Sequence, residues 1–165
     1  MLDEAVRVHA LHRLAGSDER VRAWAAKIRL PSSDNLPRYA QTATSGELRT
    51  AVANDGITVA SHTWSHANLA ALAPDEITSE LERSRDWLRD EFAGKAIPWV
   101  AYPYGLDCED AHLIAARAGY VGGVRIGGGW HHHFDAPPFA RPRLNVPASL
   151  SAAGFRARLL GALRP

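Results

Sequence analysis

Cysteine is almost missing from this chain: Cys108 is the single one among 165 residues, so no internal disulfide can staple the fold and stability has to come from packing. A lone thiol is compatible with a reducing compartment. No stretch of about 18 or more apolar residues occurs, which excludes a membrane-spanning helix. Neither sign of charge dominates, since 19 Lys and Arg against 18 Asp and Glu leave a net +1, and a nucleic-acid partner is not expected. The opening M-L-D-E-A-V-R-V-H-A-L-H-R-L is charged and amphipathic and lacks the apolar core and small-residue cleavage site of a secretory leader, so a cytoplasmic location is the default expectation. With 46% hydrophobic and 22% charged residues, the chain has the composition of one globular domain with a proper core rather than that of a disordered segment.

What is present is an alternation of helix-like and strand-like segments. Leu2, Val6, Ala10, Leu11 and Leu14 recur at helical spacing, and a second short helix is predicted from Asp18 to Ile28 after the Gly16-Ser17 break. Pro31 to Pro37 reads as a polar loop. Thr44 or Ser45 caps a helix through Val52, with Glu47 in its first turn, and Asn54-Asp55-Gly56 turns the chain into a strand at Ile57. Pro74 opens a long helix, Asp75 to Phe92, with Ile77, Leu81, Ser84 and Leu88 on one face and Gly94 closing it. Pro98 to Tyr102 reads as a buried strand, Pro103-Tyr104-Gly105 as a turn, and Asp107 to Ala118 as a helix ended by Gly119. Tyr120 to Ile126 is a strand candidate weakened by two glycines, Gly127 to Gly129 a flexible loop, Leu144 to Val146 a short strand, and residues 150 to 163 a last helix. Strand-helix-strand succession of this kind predicts a parallel α/β sheet or barrel with its chemistry at the carboxyl ends of the strands.

The segment that bears chemistry is I-T-V-A-S-H-T-W-S-H, residues 57 to 66. A β-branched run feeds two histidines four positions apart, and if the chain turns helical after the strand, His62 and His66 fall on one face within reach of one divalent metal ion. Tyr102 to Gly105 also follows a predicted strand, so both motifs point to the same end of the sheet.

These residues resemble a known family. S-H-T-W-S-H followed by A-N-L, the helix P-D-E-I-T-S-E-L-E-R-S-R-D-W-L, then V-A-Y-P-Y-G and A-G-Y, are similar to the central and C-terminal parts of polysaccharide deacetylases of the nodulation-protein-B-like class, carbohydrate esterase family 4. The resemblance spans roughly residues 44 to 150. It implies a distorted (β/α) barrel and a metal-dependent hydrolase, usually with zinc, that removes acetyl groups from N-acetylated glycans. In the family's H-[ST]-x-x-H motif the two histidines are metal ligands, here His62 and His66. In its R-x-P-Y motif the tyrosine backbone N–H helps hold the oxyanion, here Tyr104. Arg143, in P-R-L-N-V, resembles an arginine found late in some branches and is carried over as a carboxylate binder.

The resemblance also shows departures. No T-F-D-D motif, the source of the catalytic base and the third metal ligand, precedes His62, so the barrel is expected to lack its first strand or two and the chain to be N-terminally shortened. Position 101 is alanine where R-x-P-Y has arginine, and no L-x-H motif is recognisable near Leu150. Amide hydrolysis needs an activated water, a base, an oxyanion donor and an acid for the leaving amine, and catalytic zinc usually takes three protein ligands. Asp3, Asp34, Asp55, Asp107 and Asp135 are candidates for the missing carboxylate, and spacing does not choose among them.

Each motif has a plainer reading. His131 to His133 reads as a solvated loop before a ligand cluster, because adjacent side chains diverge in extended chain. Trp64 and Trp130 read as packing before sugar platforms, and Cys108 as a small buried filler. Two functions of different class follow: a zinc deacetylase acting on an acetylated glycan, or an inactive relic that keeps a metal- or carbohydrate-binding surface. An amidohydrolase-like enzyme acting on a non-sugar amide is the more distant third. An incomplete barrel also exposes a sheet edge, through which the chain is expected to associate with itself.

Overall fold

The computed structural model describes residues 4–30, 37–38, 41–126, 137–143, 146 and 149–161. Its frame is a four-stranded parallel sheet in the order β1 (Val59–Ser61), β2 (Ala96–Ala101), β3 (Gly122–Ile126) and β4 (Arg141–Arg143). Spatial order equals chain order. This is how successive strands of a (β/α) barrel are laid down, whereas a doubly wound sheet reverses direction at a switch point. Helices α1 (Glu4–Val8), α2 (Asp18–Lys27) and α3 (Ser45–Val52) precede β1, α4 (Pro74–Glu91) joins β1 to β2, α5 (Glu109–Arg117) joins β2 to β3, and α6 (Ala152–Leu159) comes last. A π-helical turn, His9–Arg13, extends α1.

Local chemistry accounts for the helix ends. Thr44 and Glu47 form a reciprocal capping box at α3, with the Thr44 N–H donating to the Glu47 carboxylate at 2.9 Å. Those hydrogen bonds from Thr44 hold the Glu47 carboxyl below its usual range. Pro74 is the first residue of α4, where its missing N–H costs nothing. The predicted stripe Ile77, Leu81, Ser84 and Leu88 is the set of residues that α4 buries.

Leu69, Ile77 and Leu81 join Val100, Tyr102, Ala111, Ala115, Ala118 and Tyr120 in one core between α4, α5 and the sheet. Buried Tyr120 donates its hydroxyl to the Leu81 carbonyl at 2.9 Å. A smaller cluster of Val52, Leu88 and Phe92 fastens α3 to α4. Cys108 precedes α5 half-buried against the core, as a filler would.

The two glycines that weaken the reading of Tyr120 to Ile126 turn out to shape β3. A Cβ at Gly122 would lie 2.6 Å from the Trp99 ring, and one at Gly123 would overlap the Tyr102 hydroxyl. Glycine lets the Trp99 ring of β2 and the Tyr102 ring just after it lie across the neighbouring strand.

β4 corrects an expectation. Arg125 pairs with Pro142 and Ile126 with Arg143, so a strand falls on Arg-Pro-Arg, where none is predicted; of the predicted strand over 144 to 146, Val146 is not in a strand and 144 and 145 lie outside the described residues. A proline-centred strand flanked by arginines has no apolar alternation to announce it. Among the described residues no helix is long and apolar enough to cross a membrane.

Candidate active site

His62 follows the last residue of β1, and the chain does not turn helical after it. The expectation of one helical face is therefore wrong in its means, although the rings do meet. Two left-handed residues, Thr63 at φ 66° and His66 at φ 57°, curl the segment so that the imidazole centroids stand 4.8 Å apart with planes at 80°. A carboxylate holds this curl: Glu80 of α4 accepts from the N–H groups of Trp64 at 2.9 Å and Ser65 at 2.8 Å and from the Ser65 hydroxyl at 2.7 Å. Beneath it, the buried Ser61 hydroxyl meets Ser84 at 2.8 Å and accepts from the Thr63 N–H at 3.1 Å. Sequence reasoning missed Glu80, which looks like any other acid on an amphipathic helix.

His62 Nδ1 lies 2.6 Å from the carbonyl of Ala101, at the end of β2. A carbonyl only accepts, so Nδ1 carries a proton, and in the neutral form of the ring Nε2 is the nitrogen that keeps its lone pair. His66 Nδ1 lies 3.2 Å from the Tyr104 hydroxyl, and the two rings meet edge to face at 4.8 Å. Burial lowers the proton affinity of His66, the neighbouring His62 lowers it further, and Asp18 pulls the other way, which leaves a neutral imidazole at neutral pH.

Tyr104 sits in the turn Pro103–Gly105 at φ 60°, ψ 0°. The turn is closed by Gly105 donating to Tyr102 and Leu106 to Pro103, and the Tyr104 N–H takes no part in it. Burial, and after it the charge of Asp18, raises the Tyr104 phenol above its usual range. The structure thus gathers His62, His66 and Tyr104 at the carboxyl ends of β1 and β2.

The carboxylate candidates separate cleanly. Asp3, Asp34 and Asp135 lie outside the described residues, as do Trp130 and His131 to His133. Asp55 is exposed in the turn before β1, at the strand's other end from the histidines. Asp107 is nearly buried and already paired, with His112 at 2.7 Å and Arg125 at 3.3 Å. The acid whose charge does reach His66 and Tyr104 is Asp18, at the start of α2, where the sequence shows only an ordinary helix opening. Its N–H donates to the Ser65 carbonyl at 2.9 Å, and its carboxylate pairs with Arg22 at 3.2 Å.

Arg143 ends β4 half-buried, its Nε without a hydrogen-bond partner among the described residues. Trp64 is exposed and not core filling: the Arg83 guanidinium lies 4.4 Å over its ring. A cleft of about 580 Å³, lined by Val59, Trp64, Trp87 and Leu88, opens along β1 beside His62.

As a donor set, two imidazoles with Nε2 engaged by no hydrogen bond among the described residues fit a borderline-soft divalent ion such as zinc. They supply two donors, and no group of three His, Cys, Asp or Glu side chains able to hold a metal occurs among the described residues.

A family model for polysaccharide deacetylases matches residues 34–123, more than half of the chain and the whole of the histidine and tyrosine motifs. The chain belongs to the polysaccharide deacetylase family. Solved structures share this deacetylase fold. The Streptococcus pyogenes deacetylase PplD in complex with acetate is 25% identical at TM-score 0.63, over 78% of this chain and 54% of its own. A polysaccharide deacetylase from Bacillus cereus is 16% identical at TM-score 0.64, over 87% and 48%, and a de-N-acetylase from Aggregatibacter actinomycetemcomitans is 15% identical at TM-score 0.56, over 78% and 58%. The chain therefore spans about half the length of the solved deacetylases it matches. No curated protein matches it.

Proposed function

We propose that this chain is a metal-dependent hydrolase that removes acetyl groups from an N-acetylated polysaccharide or oligosaccharide. The observation that carries this reading is the His62–His66 pair, with centroids 4.8 Å apart at the strand ends, beside a tyrosine turn in a chain of the deacetylase family. His62 and His66 would hold the metal, zinc or another divalent ion, through Nε2. Such an ion, when bound, polarises an acetyl carbonyl and acidifies a water molecule.

The chain's own residues do the rest. The Ala101 carbonyl fixes the His62 ring, and Glu80 fixes the loop between the two histidines. The Tyr104 N–H, free of its own turn, serves as oxyanion donor. Arg143, whose Nε has no hydrogen-bond partner among the described residues, is assigned the binding of a carboxylate near the site. The exposed cleft beside His62 offers room for the glycan.

Acetate release from an N-acetylglucosamine oligomer with added zinc, run beside His62→Ala, tests the proposal. Turnover that falls at least about a hundredfold in the variant supports it. A second reading, a surface that binds metal or carbohydrate without turnover, is favoured by the count of two donors among the described residues. Folded chain that binds zinc and releases no acetate decides for it.

A further inference from the structure

The Tyr104 hydroxyl stands between two groups, and their chemistry dictates which way its proton points. On one side, at 3.0 Å, is the Gly16 carbonyl, which can only accept, so the phenol donates to it. That uses the one proton the hydroxyl has. On the other side, at 3.2 Å, is His66 Nδ1, which then meets only the oxygen's lone pairs and can answer them only as an N–H donor. A neutral imidazole carries one proton, so Nε2 of His66 is left with a bare lone pair.

We propose that Tyr104 is a positioning residue acting through its side chain: the relay from His66 Nδ1–H to the Tyr104 hydroxyl to the Gly16 carbonyl locks His66 in the tautomer that offers Nε2 to a metal. The Ala101 carbonyl imposes the same tautomer on His62, so each ligand has its own acceptor behind it. Metal-bound histidines ordinarily need such a partner on the second nitrogen.

The Gly16 carbonyl is a fixed acceptor because its segment is stitched to the histidine loop. Asp18 N–H donates to the Ser65 carbonyl at 2.9 Å, Asn68 N–H donates to the Ala15 carbonyl, and the Ser17 and Ser65 hydroxyls meet at 3.0 Å. Gly16 itself turns left-handed at φ +62°, and a Cβ on it would lie 2.6 Å from the Tyr104 ring. The relay thus recruits residues 15 to 18, which lie outside the segment matched by the family model, into the site. It bears on metal binding only through the proposed function above, and the tautomer can be read without any metal.

The experiment is a long-range 1H–15N correlation of the imidazoles in the metal-free chain, above the imidazole titration range, with zinc affinity measured alongside. Wild type is compared with Tyr104→Phe, which keeps the backbone N–H and the ring. Expected are an Nδ1–H His66 in wild type, a shift toward Nε2–H in the variant with His62 unchanged as the internal check on folding, and zinc affinity about 10- to 100-fold weaker. A wild-type His66 protonated on Nε2, or a tautomer indifferent to the substitution, overturns the relay. The expected tautomers with no zinc bound by either chain keep the relay and sink the metal reading instead.

Discussion

Three non-glycine residues around the histidine pair hold left-handed backbone angles: Thr63, His66 and Tyr104. For β-branched Thr63 such an angle costs on the order of 1 to 3 kcal/mol, and its buried hydroxyl has no hydrogen-bond partner among the described residues. Strain of this kind persists where the surroundings over-determine a geometry, and here they do so through Ser61, Ser84 and Glu80. Tyr102 shows the same tolerance for an unpaired group. It is fully buried, its hydroxyl without a hydrogen-bond partner among the described residues, and Tyr102→Phe should stabilise the chain by about 1 kcal/mol, a rise of roughly 2 to 4 °C in Tm by calorimetry. Burial pushes the Tyr102 phenol, and also that of Tyr120, above the usual range. The folded state therefore keeps protons that the unfolded chain releases near pH ~10, so this stability is intact below that pH and is lost as pH rises above it. The alkaline decline should be shallower in Tyr102→Phe; an equally steep decline would be evidence against Tyr102 as its source. At this scale the sequence displays the histidine spacing plainly, while the three left-handed angles and the approach of Asp18 carry no local signature, because tertiary contacts impose them.

Among the elements, α4 does two jobs. Its inner face carries the core, and Glu80 on its flank accepts three hydrogen bonds from the histidine loop. Glu80→Ala should cost about 2 to 3 kcal/mol in chemical denaturation and should loosen the His62–His66 geometry enough to weaken zinc binding about tenfold. A variant with wild-type zinc affinity would show that the loop holds itself. The inner face was legible because four buried positions repeat at helical spacing. Glu80 was not, since an acid one turn from the core looks the same whether it faces water or a loop. β4 marks the opposite limit: Arg141, Pro142 and Arg143 pair with β3 through backbone groups that side-chain patterning does not reveal, and the apolar Leu144 and Val146 drew the strand reading past its place.

For the whole molecule, sequential strand order leaves β1 at a margin, with β2 as its one partner among the described residues. Its outer side faces the cleft of Val59, Trp64 and Trp87. An unpaired edge beside apolar surface favours strand addition, so the chain should sediment with a mass that rises with concentration. Ala60→Lys, at an exposed position of β1, should shift the mass toward monomer while costing no more than about 1 kcal/mol of stability. Mass independent of concentration in wild type would mean the edge is protected. The parallel α/β architecture could be read from strand and helix succession, and its sequential strand order only from the family resemblance, because patterning names elements and says little about their neighbours.

The contact between Gly16 and the Tyr104 ring ties together two positions 88 residues apart in the chain. Neither can drift alone. In an alignment of relatives, tyrosine at position 104 should travel with glycine at 16, and sequences that have lost the aromatic ring should be the ones that admit there a side chain tolerant of the left-handed backbone, such as asparagine.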